Sequence, residues 1–285
     1  MAKARLLVWD VKAGNSISLF TPSNKLIQFD IGATNECSPL TTMARWTRNA
    51  IIDTLVITHP HGDHLRDIDA IGKYKVSAIL RPSHLTDQEI KDANGKHDDE
   101  CVKKYLEIFR NYTGDVKECE SALVSDNNGG VKIRHFHPTK SATSNINNHS
   151  IVTIVSFGDV KVLIPGDCEG AGWNELLNAE DGLFKKELKG VNILIAAHHG
   201  HASGYSADLM KEINSTLKLV IVSDGKYNED VSITQNYSNA SLGMLVKNNR
   251  TNEIKLAKCL TTRKNGWIDV KIEEENIFVV AEKGV

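Results

Sequence analysis

The stretch from Ile51 to His64, IIDTLVITHPHGDH, constrains the fold of this chain more than any other. Its apolar and β-branched residues predict one short buried strand over residues 51–58. Four ionisable side chains follow that strand directly: His59, His61, Asp63 and His64. Imidazole and carboxylate groups bind borderline metals such as Zn²⁺, and Gly62 permits the tight turn that lets these side chains converge. A solvated histidine-rich turn is the simpler interpretation, but further candidate ligands follow other predicted strands.

The hexapeptide His59-Pro60-His61-Gly62-Asp63-His64 resembles the metal-site signature of the metallo-β-lactamase superfamily. The resemblance implies an α/β fold, an αββα four-layer sandwich in which two mixed β-sheets are flanked by helices. It also implies two metal ions, with the first two histidines on one ion and the aspartate and the last histidine on the other. In that superfamily a third histidine completes the first site, a later aspartate bridges the ions, and a final histidine completes the second site.

Length and composition are those of an ordinary globular chain. With 285 residues, of which 41% are hydrophobic, we predict a single domain of that fold over 1–285, with a helical insertion at about 83–120. The five scattered cysteines form no Cys-x-x-Cys pair, which argues against a disulfide framework and favours the reducing cytoplasm. A formal net charge of -2 argues against a broad basic face for nucleic acid. No apolar stretch is as long as a membrane span, so we expect no membrane association.

The first 32 residues make the resemblance more specific within the superfamily. They predict strands at 5–11, 16–20 and 26–32, separated by turn residues. A first strand ending in Asp10-Val11, a Gly14-Asn15-Ser16 turn and a terminal Asp30-x-Gly32 are similar to the opening of the metallo-hydrolase domain attached to ComEC-type competence proteins, which take up DNA. That domain usually reads Asp-Val-Gly-Gln-Gly-Asp in its first turn, where this chain has Asp10-Val11-Lys12-Ala13-Gly14-Asn15.

The segment between residues 65 and 138 carries weaker signals. We predict a helix at 65–71 and a strand at 75–80. Residues 83–120 are charged and helix-prone, with apolar residues at 102, 106 and 109 on one face, which suits either a solvated helical cap or a lid over a substrate. Strands are expected at 121–126 and 131–138, and we interpret His135 and His137, which share a face of the second strand, as structural.

Residues 145–169 are the second informative region. They predict a strand at 150–157, a tight turn and a second strand that ends at Pro165-Gly166-Asp167. This segment resembles a ComEC-like pattern of an Asn-Asn-x-Ser-Leu-Val strand followed by a strand ending in Gly-Asp, which places Asp167 at the bridging carboxylate. A helix N-cap is the alternative role for Asp167. His149 stands near the place of the third site-one histidine, and Asn148 is the fallback because ComEC-like members often carry Asn there.

A third group of candidate ligands follows the apolar segment 191–197, which predicts a strand buried on both faces. His198-His199-Gly200 resembles the His-His-Gly of the same family, in which Ser comes next, whereas here His201 precedes Ala202-Ser203. We predict that His198 binds the second metal and that His199 transfers protons, although an exchange of the two roles stays open. His201 and Ser203 are candidate substrate contacts, and a bystander role for His201 also stays open.

The remaining segments are predicted to form scaffold helices and strands. We expect helices at 170–190 and 236–248 and strands at 219–223, 255–261, 267–272 and 277–281. The ComEC-like pattern also ends in two such strands, so the resemblance covers essentially the whole chain except residues 83–120.

Together these residues predict a site for two Zn²⁺ ions, with Mn²⁺ as the alternative metal. His59, His61 and His149 would hold one ion, Asp63, His64 and His198 the other, and Asp167 would bridge them. Water between two such ions loses a proton near neutral pH, so we predict a binuclear phosphodiesterase or nuclease in which Asp63 and His199 transfer protons. A hydrolase of carboxylic esters, thioesters or lactones is the alternative, and a non-catalytic metal-stabilised binding protein is a third. A long nucleic-acid substrate would need a basic groove, for which Lys226, Arg263 and Lys264 are the candidates.

Overall fold

The computed structural model describes residues 2–46, 50–139, 144–224, 231–273 and 276–284, and in these ranges the fold is mixed α/β. The strands are β1 (Lys3–Val8), β2 (Ile17–Phe20), β3 (Leu26–Phe29), β4 (Ile51–Ile52), β5 (Thr54–Val56), β6 (Lys75–Val76), β7 (Ile79–Leu80), β8 (Lys132–Phe136), β9 (Val152–Phe157), β10 (Val160–Ile164), β11 (Val191–Ile195), β12 (Leu219–Val222), β13 (Met244–Asn248), β14 (Ile254–Ala257), β15 (Cys259–Thr261), β16 (Ile268–Glu273) and β17 (Asn276–Ala281). The helices are α1 (Pro39–Ala44), α2 (Asp87–Asp92), α3 (Asp99–Phe109), α4 (Ser125–Asn128), α5 (Gly170–Leu177), α6 (Leu183–Leu188), α7 (Ala207–Ile213), α8 (Val231–Ala240) and α9 (Thr262–Asn265).

The strands form two large mixed sheets and a small third one. The nine-stranded sheet has the order β14-β13-β17-β16-β1-β2-β3-β5-β7, the six-stranded sheet has the order β15-β12-β11-β10-β9-β8, and β4 pairs with β6. Strands β3, β5 and β7 are parallel neighbours in the first large sheet, and β10, β11, β12 and β15 are parallel neighbours in the second. Because parallel neighbours end at the same sheet edge, the loops after β3 and β5 lie side by side, as do those after β10 and β11.

The two large sheets contribute to one hydrophobic core. Leu6 and Val8 of β1 belong to the same buried cluster as Val162 and Ile164 of β10. Successive side chains of a strand point to opposite faces, so Leu7, between Leu6 and Val8, joins a second cluster on the other face of its sheet. Each large sheet therefore has one face turned toward the shared core and one face turned toward helices.

Helices cover the other face of each large sheet. The cluster outside the nine-stranded sheet includes Leu40 of α1 and Val102 and Leu106 of α3. The cluster outside the six-stranded sheet includes Trp173 of α5, Phe184 of α6, Leu209 of α7 and Tyr237 of α8. No helix within the described ranges is long and apolar enough to cross a membrane.

The helix-prone segment 83–120 packs on the outer face of the nine-stranded sheet. It also contacts the loop at His59–His64, which we call the histidine loop. The apolar side chains of Ile90 and Phe109 are buried in the cluster outside the nine-stranded sheet, so this face is not a solvated one. Asn94 accepts a hydrogen bond from the Gly62 amide at 2.8 Å and donates one to the Pro60 carbonyl at 2.9 Å. The segment thus fixes the backbone of the histidine loop through one side chain.

Three predicted strands are each divided between two sheets. The strand expected over 75–80 separates into β6, which pairs with β4, and β7 in the nine-stranded sheet. The strand expected over 51–58 separates into β4 and β5 at Asp53, whose carboxylate accepts hydrogen bonds from the Leu26 amide and the Lys25 ammonium, both at 2.9 Å. The strand expected over 255–261 breaks at Lys258, with β14 in the nine-stranded sheet and β15 in the six-stranded sheet.

Two further predictions of secondary structure were wrong, and the helix predicted over 65–71 was right only in part. The helix expected over 236–248 ends with α8 at Ala240, and residues 244–248 form β13, because Gly243 at φ +95° turns the chain and Val246 pairs with β17 inside the core. The strand expected over 121–126 is replaced by turns and α4, where Asn128 hydrogen-bonds the Ala122 and Val131 carbonyls. Helical structure near 65–71 is a 3₁₀ helix at Ile68–Lys73.

Candidate metal centre

Four strand ends from the two large sheets deliver the candidate ligands to one place. Asp30 follows β3, the histidine loop follows β5, Asp167 follows β10, and His198-His199 follow β11. Backbone hydrogen bonds join the strand ends, from the Ile151 amide to the Thr58 carbonyl at 2.9 Å and from the His198 amide to the Gly166 carbonyl at 3.2 Å. Gly166 has φ +57°, and a Cβ there would lie 2.6 Å from the Thr58 Cβ, so this close approach requires glycine.

Among the residues that the structure describes, two groups of ligand atoms are close enough together to hold a metal ion. In the first group, atoms of His59, His64 and Asp167 lie within 4.8 Å of one another, and in the second, atoms of Asp63, His64 and His199 do. His64 therefore belongs to both groups. Asp167 also contacts both, since its Oδ2 lies 3.8 Å from His59 Nε2 and 3.3 Å from His199 Nε2. Its other oxygen lies 3.3 Å from His64 Nε2.

Asp30 holds His64 from the side opposite to this centre. The His64 Nδ1 lies 2.8 Å from Asp30 Oδ2, and both side chains are fully buried. Asp30 also accepts hydrogen bonds from the Thr58 amide at 2.7 Å and the Thr58 hydroxyl at 2.8 Å. With Nδ1 donating to this carboxylate, the imidazole presents Nε2 to the centre, an arrangement common behind metal-binding histidines. From the sequence, Asp30 was predictable only as the end of a strand.

The electrostatics of the centre are dominated by burial and by two carboxylates. Burial alone would lower the pKa of His199, but Asp167 and Asp63 raise it to about 10. The pKa of His64 is likewise raised against burial by Asp167, Asp30 and Asp63. Burial would raise the pKa of Asp167, yet His199, His64 and His59 hold it well below its usual value. Both carboxylates therefore remain ionised and concentrate negative charge in a buried space.

The donor atoms fit a divalent cation. The Nε2 atoms of His64 and His199 lie 3.3 Å apart, so protonation of both would place two positive N–H groups against each other. As lone pairs, the same nitrogens converge with the carboxylate oxygens on a shared space. Two imidazoles and one carboxylate form a common ligand set for Zn²⁺ in sites that leave a coordination position open. The residues present are therefore suited to the metal that the sequence predicts.

His61 borders this centre, His149 contacts His84, and neither belongs to the two groups. His61 Nδ1 is 2.9 Å from His59 Nε2, so these two imidazoles meet at the edge of the first group. His149 is buried before β9, with Nδ1 at 3.1 Å from Nε2 of His84 in the segment 83–120. The oxygen of Asn148 accepts a hydrogen bond from the Gly172 amide at the start of α5, at 2.8 Å. Of the two alternatives for the third site-one ligand, Asn148 is thus already engaged in capping a helix.

A second set of polar residues lies beside the centre; we call it the Glu169 cluster, formed by Glu169, His198, His201 and Ser203. Glu169 Oε1 lies 2.8 Å from His198 Nδ1 and accepts a hydrogen bond from the Ser203 hydroxyl at 2.9 Å. His201 Nδ1 lies 2.9 Å from Ser203 Oγ. His198 Nε2 is 3.9 Å from Asp167 Oδ2. His198 thus faces the centre with one ring nitrogen and Glu169 with the other.

Glu169 is a residue that the sequence analysis missed. Besides His198 and Ser203, it accepts hydrogen bonds from the side-chain amides of Asn147 at 3.0 Å and Asn145 at 2.9 Å. It therefore joins the loop before β9 to the loop after β11. Its position two residues after Asp167 is the one signal in the sequence, because a carboxylate so close to a candidate ligand stands at the same strand end.

The backbone after β11 adopts a sparsely populated conformation. His198 has φ 49° and His199 has φ 53°, both in the left-handed region, and Gly200 follows with φ 76°. Non-glycine residues in this region cost free energy and cluster at functional sites. The turn directs the two histidines differently, with His199 toward Asp63 at 3.3 Å and His198 toward Glu169.

Comparison with solved structures finds distant structural likenesses. The chain is similar to a crystal structure from Parabacteroides distasonis ATCC 8503, described as a "putative metal-dependent hydrolase", at 19% sequence identity and a TM-score of 0.40. The similarity covers 78% of this chain and 84% of that one. No family model and no curated protein matches the chain.

Proposed function

We propose that this protein is a metal-dependent hydrolase that cleaves phosphodiesters at a centre for two divalent cations, Zn²⁺ or Mn²⁺. The observation that carries the proposal is the position of Asp167, whose two oxygens lie within 3.8 Å of His59, His64 and His199. A carboxylate that contacts both ligand groups is suited to bridging two ions. The shared core between the sheets, with helices on their other faces, supports the αββα arrangement of the metallo-β-lactamase superfamily, and the resemblance of the sequence to the ComEC-type domain supports the substrate class.

The proposed ligand sets combine the resemblance to the superfamily with the distances in the structure. We assign His59, His61 and Asp167 to the first ion, with His149 as the candidate for completing that site. For the second ion we assign Asp63, His64 and His199, with Asp167 shared. This departs from the sequence prediction for His198, because its Nδ1 contacts Glu169 at 2.8 Å while His199 Nε2 lies 3.3 Å from both Asp63 and Asp167.

The bound ions and the residues of the chain would contribute different parts of the chemistry. Bound cations would supply Lewis acidity and lower the pKa of water so that hydroxide is available near neutral pH. Asp30 orients His64 through its Nδ1, at 2.8 Å. The buried positions of His59, His64 and Asp167 exclude bulk water, which strengthens every charge interaction at the centre.

His198 is the proposed proton donor to the leaving oxygen, with Asp63 as the second candidate. Glu169 Oε1 lies 2.8 Å from His198 Nδ1, so Glu169 fixes the orientation of this ring. The Nε2 atom then faces Asp167 at 3.9 Å, beside the reacting space. His201 and Ser203, on the outer side of this pair, are the proposed substrate contacts at its entrance.

The charges around the centre favour a short phosphodiester or a nucleotide over a long duplex. A cavity of about 840 Å³ beside the histidine loop is lined by the cations Lys12, Arg66 and Lys104 and by the carboxylates Asp69, Asp98 and Glu100. Arg263 pairs with the buried Asp224 at 3.2 Å, and Lys226 lies outside the described residues. Such mixed charge gives little counterion release on a long polyanion. The five cysteines are free thiols, which supports the reducing cytoplasm as the location.

The test is hydrolysis of bis-p-nitrophenyl phosphate, a p-nitrophenyl ester and a thiolactone by purified protein whose bound metal has been counted. We expect two ions per chain and turnover of the phosphodiester, both lost in Asp167→Ala. Asp208→Ala is the matched control, since its side chain is 78% exposed on α7. Turnover of the ester or thiolactone alone would show that phosphodiesters are not the substrate class. Fewer than two bound ions together with no turnover of any compound would overturn the proposal.

The ligand assignment after β11 has its own test. We expect His199→Ala to lose one of the two ions and His198→Ala to retain both while turnover falls. The reverse result would restore the sequence prediction for His198. Metal content measured by atomic emission on dialysed protein distinguishes the two.

A further inference from the structure

A cavity of about 480 Å³ outside the nine-stranded sheet gathers three of the four tryptophans of the chain. Trp9, Trp46 and Trp267 line it together with Leu7, Asp10 and Lys12, and none of the proposed metal ligands does. The fourth tryptophan, Trp173, is 1% exposed, and its indole donates a hydrogen bond to the Gly204 carbonyl at 3.0 Å. Trp173 is thus an ordinary core residue, whereas the other three surround a space of ligand size.

The aromatic wall of this cavity presents flat faces. Trp9 and Trp46 are stacked, with ring centroids 5.7 Å apart and ring planes at 28°. The Trp9 indole nitrogen donates to Ser18 Oγ at 2.9 Å, so its polar atom is satisfied inside the protein. Trp46 nevertheless remains 54% exposed. A stacked pair with one half-open ring is suited to extending the stack with a planar occupant.

The polar wall offers a hydrogen-bond acceptor. Asp10 Oδ2 lies 3.3 Å from Lys12 Nζ and 3.9 Å from Lys283 Nζ, whereas Oδ1 is buried and has no hydrogen-bond partner among the residues that the structure describes. An ionised carboxylate can accept several hydrogen bonds. Rotation about the Asp10 Cβ–Cγ bond, which has broad minima, would bring Oδ1 toward a donor in the cavity.

The charges of the cavity disfavour a cationic occupant. Its ionisable residues balance, with the cations Arg5, Lys12 and Lys283 against the carboxylates Asp10, Glu36 and Glu282. Arg5 already pairs with Asp269 at 2.8 Å, and Glu282 pairs with Arg250 at 2.7 Å. The two ammonium groups beside Asp10 would repel an ammonium ligand, but their side chains are 48% and 39% exposed and can approach a phosphate.

We propose that this cavity binds a nucleobase, stacked on the Trp9–Trp46 pair, with a base N–H donating to Asp10 and any attached phosphate facing Lys12 and Lys283. The base can belong to a free nucleoside or nucleotide or to a single strand. Binding here does not depend on the proposed hydrolysis, because the cavity contains none of its ligands. The site is nevertheless adjacent to the centre: Gly14, in the same turn as Lys12, packs so tightly on the Asp63 carbonyl that a Cβ there would lie 2.3 Å from its oxygen.

The proposal is tested on the full chain by calorimetric titration with guanosine, guanosine monophosphate and a short single-stranded oligonucleotide, with tryptophan fluorescence as a second signal. Emission from Trp173 provides the unquenched baseline. We expect saturable binding and quenching by guanosine, none by ribose 5-phosphate, and about tenfold weaker binding in Trp46→Ala, since stacking of one base on an aromatic side chain contributes this much. Asp10→Ala weakens binding by about tenfold through its charged hydrogen bond. Leu183→Ala, at an exposed leucine of α6, is the matched control.

Relative affinities distinguish the source of the base. Tighter binding of the monophosphate than of guanosine supports a free nucleotide, and tighter binding of the oligonucleotide supports a strand. Binding that persists in Asp167→Ala separates this site from the metal centre. Binding lost in Asp167→Ala but retained in Trp46→Ala, a preference for tetramethylammonium over guanosine, or no saturation by any nucleoside compound would each overturn the proposal.

Discussion

The metal centre and the Glu169 cluster lie side by side, share the same strand ends and contain similar residues, yet their contacts differ in kind. In the centre, Nε2 of His64 faces Nε2 of His199 at 3.3 Å, and both face the oxygens of Asp167. In the cluster, Glu169 accepts from a hydroxyl and two side-chain amides and contacts an imidazole, all at 2.8 to 3.0 Å. The cluster completes its own hydrogen bonds. In the centre, imidazole nitrogens and carboxylate oxygens converge on one space, which we expect a cation to occupy.

This difference predicts the largest effect for His64, which belongs to both ligand groups. We expect His64→Ala to lose bound metal and to lower phosphodiester turnover by about a thousandfold, the scale found when a group that stabilises developing charge is removed. His97→Ala is the matched control, because the His97 side chain is 74% exposed. Full metal content in His64→Ala would show that the centre does not depend on this imidazole. It would contradict the difference drawn between the centre and the Glu169 cluster.

Removal of the metal should change the thermal stability of variants in the two regions to different extents. A ligand present at a thousand times its dissociation constant stabilises the native state by about 4 kcal/mol, so chelation should lower the Tm of the wild type by several degrees. Asp167→Ala, which lacks the shared carboxylate, should show little further change with chelator. Glu169→Gln should respond to chelator as the wild type does, since its cluster needs no cation. Equal responses of all three proteins in differential scanning calorimetry would contradict the contrast.

Substitution in the Glu169 cluster should alter activity without altering metal content. We expect Glu169→Gln to reduce turnover by about 10- to 100-fold, the range seen when the partner of an active-site imidazole is lost. Glu180→Gln, at an exposed position, is the control. Loss of a metal ion in Glu169→Gln would show that the cluster supports the centre directly.

The same contrast explains which parts of the site could be predicted from the sequence. The candidate ligands are recognisable because they follow strands directly, as His59 and Asp167 do, and their spacing survives in one dimension. The roles of Asp30 and Glu169 depend on partners that are 34 residues away in His64 and Ser203. Nothing local to either carboxylate identifies such a partner, so the resemblance to a family could assign ligands but not the residues that orient them.

Prediction of the fold from the sequence had the same limit. Strands β1 to β3 were predictable from alternation of apolar residues and from turn residues between them. Strand β13 was mistaken for the end of a helix; it pairs with β14 on one side, but its other neighbour in the sheet is β17, more than 30 residues later. Likewise, the apolar face of α3 is visible in the sequence, but its burial against the nine-stranded sheet is a tertiary contact. Local patterns specify an element only where its partner is nearby or its period is unambiguous.

His135 gives the smallest and most specific test, because it is a partly buried histidine with no carboxylate to offset the effect of burial on its pKa. Its Nδ1 contacts Thr153 Oγ1 at 2.9 Å, its Nε2 has no partner among the residues described, and burial lowers its pKa to about 4. Between the ordinary pKa near 6.5 and this value, the unfolded chain binds a proton that the folded chain does not, so stability falls as pH decreases through that interval. We expect the wild type to lose about 1–2 kcal/mol more than His135→Gln between pH 7 and pH 4.5. Denaturant unfolding at both pH values measures the difference, and parallel losses in the two proteins would show that burial without a carboxylate does not distinguish this histidine from those of the centre.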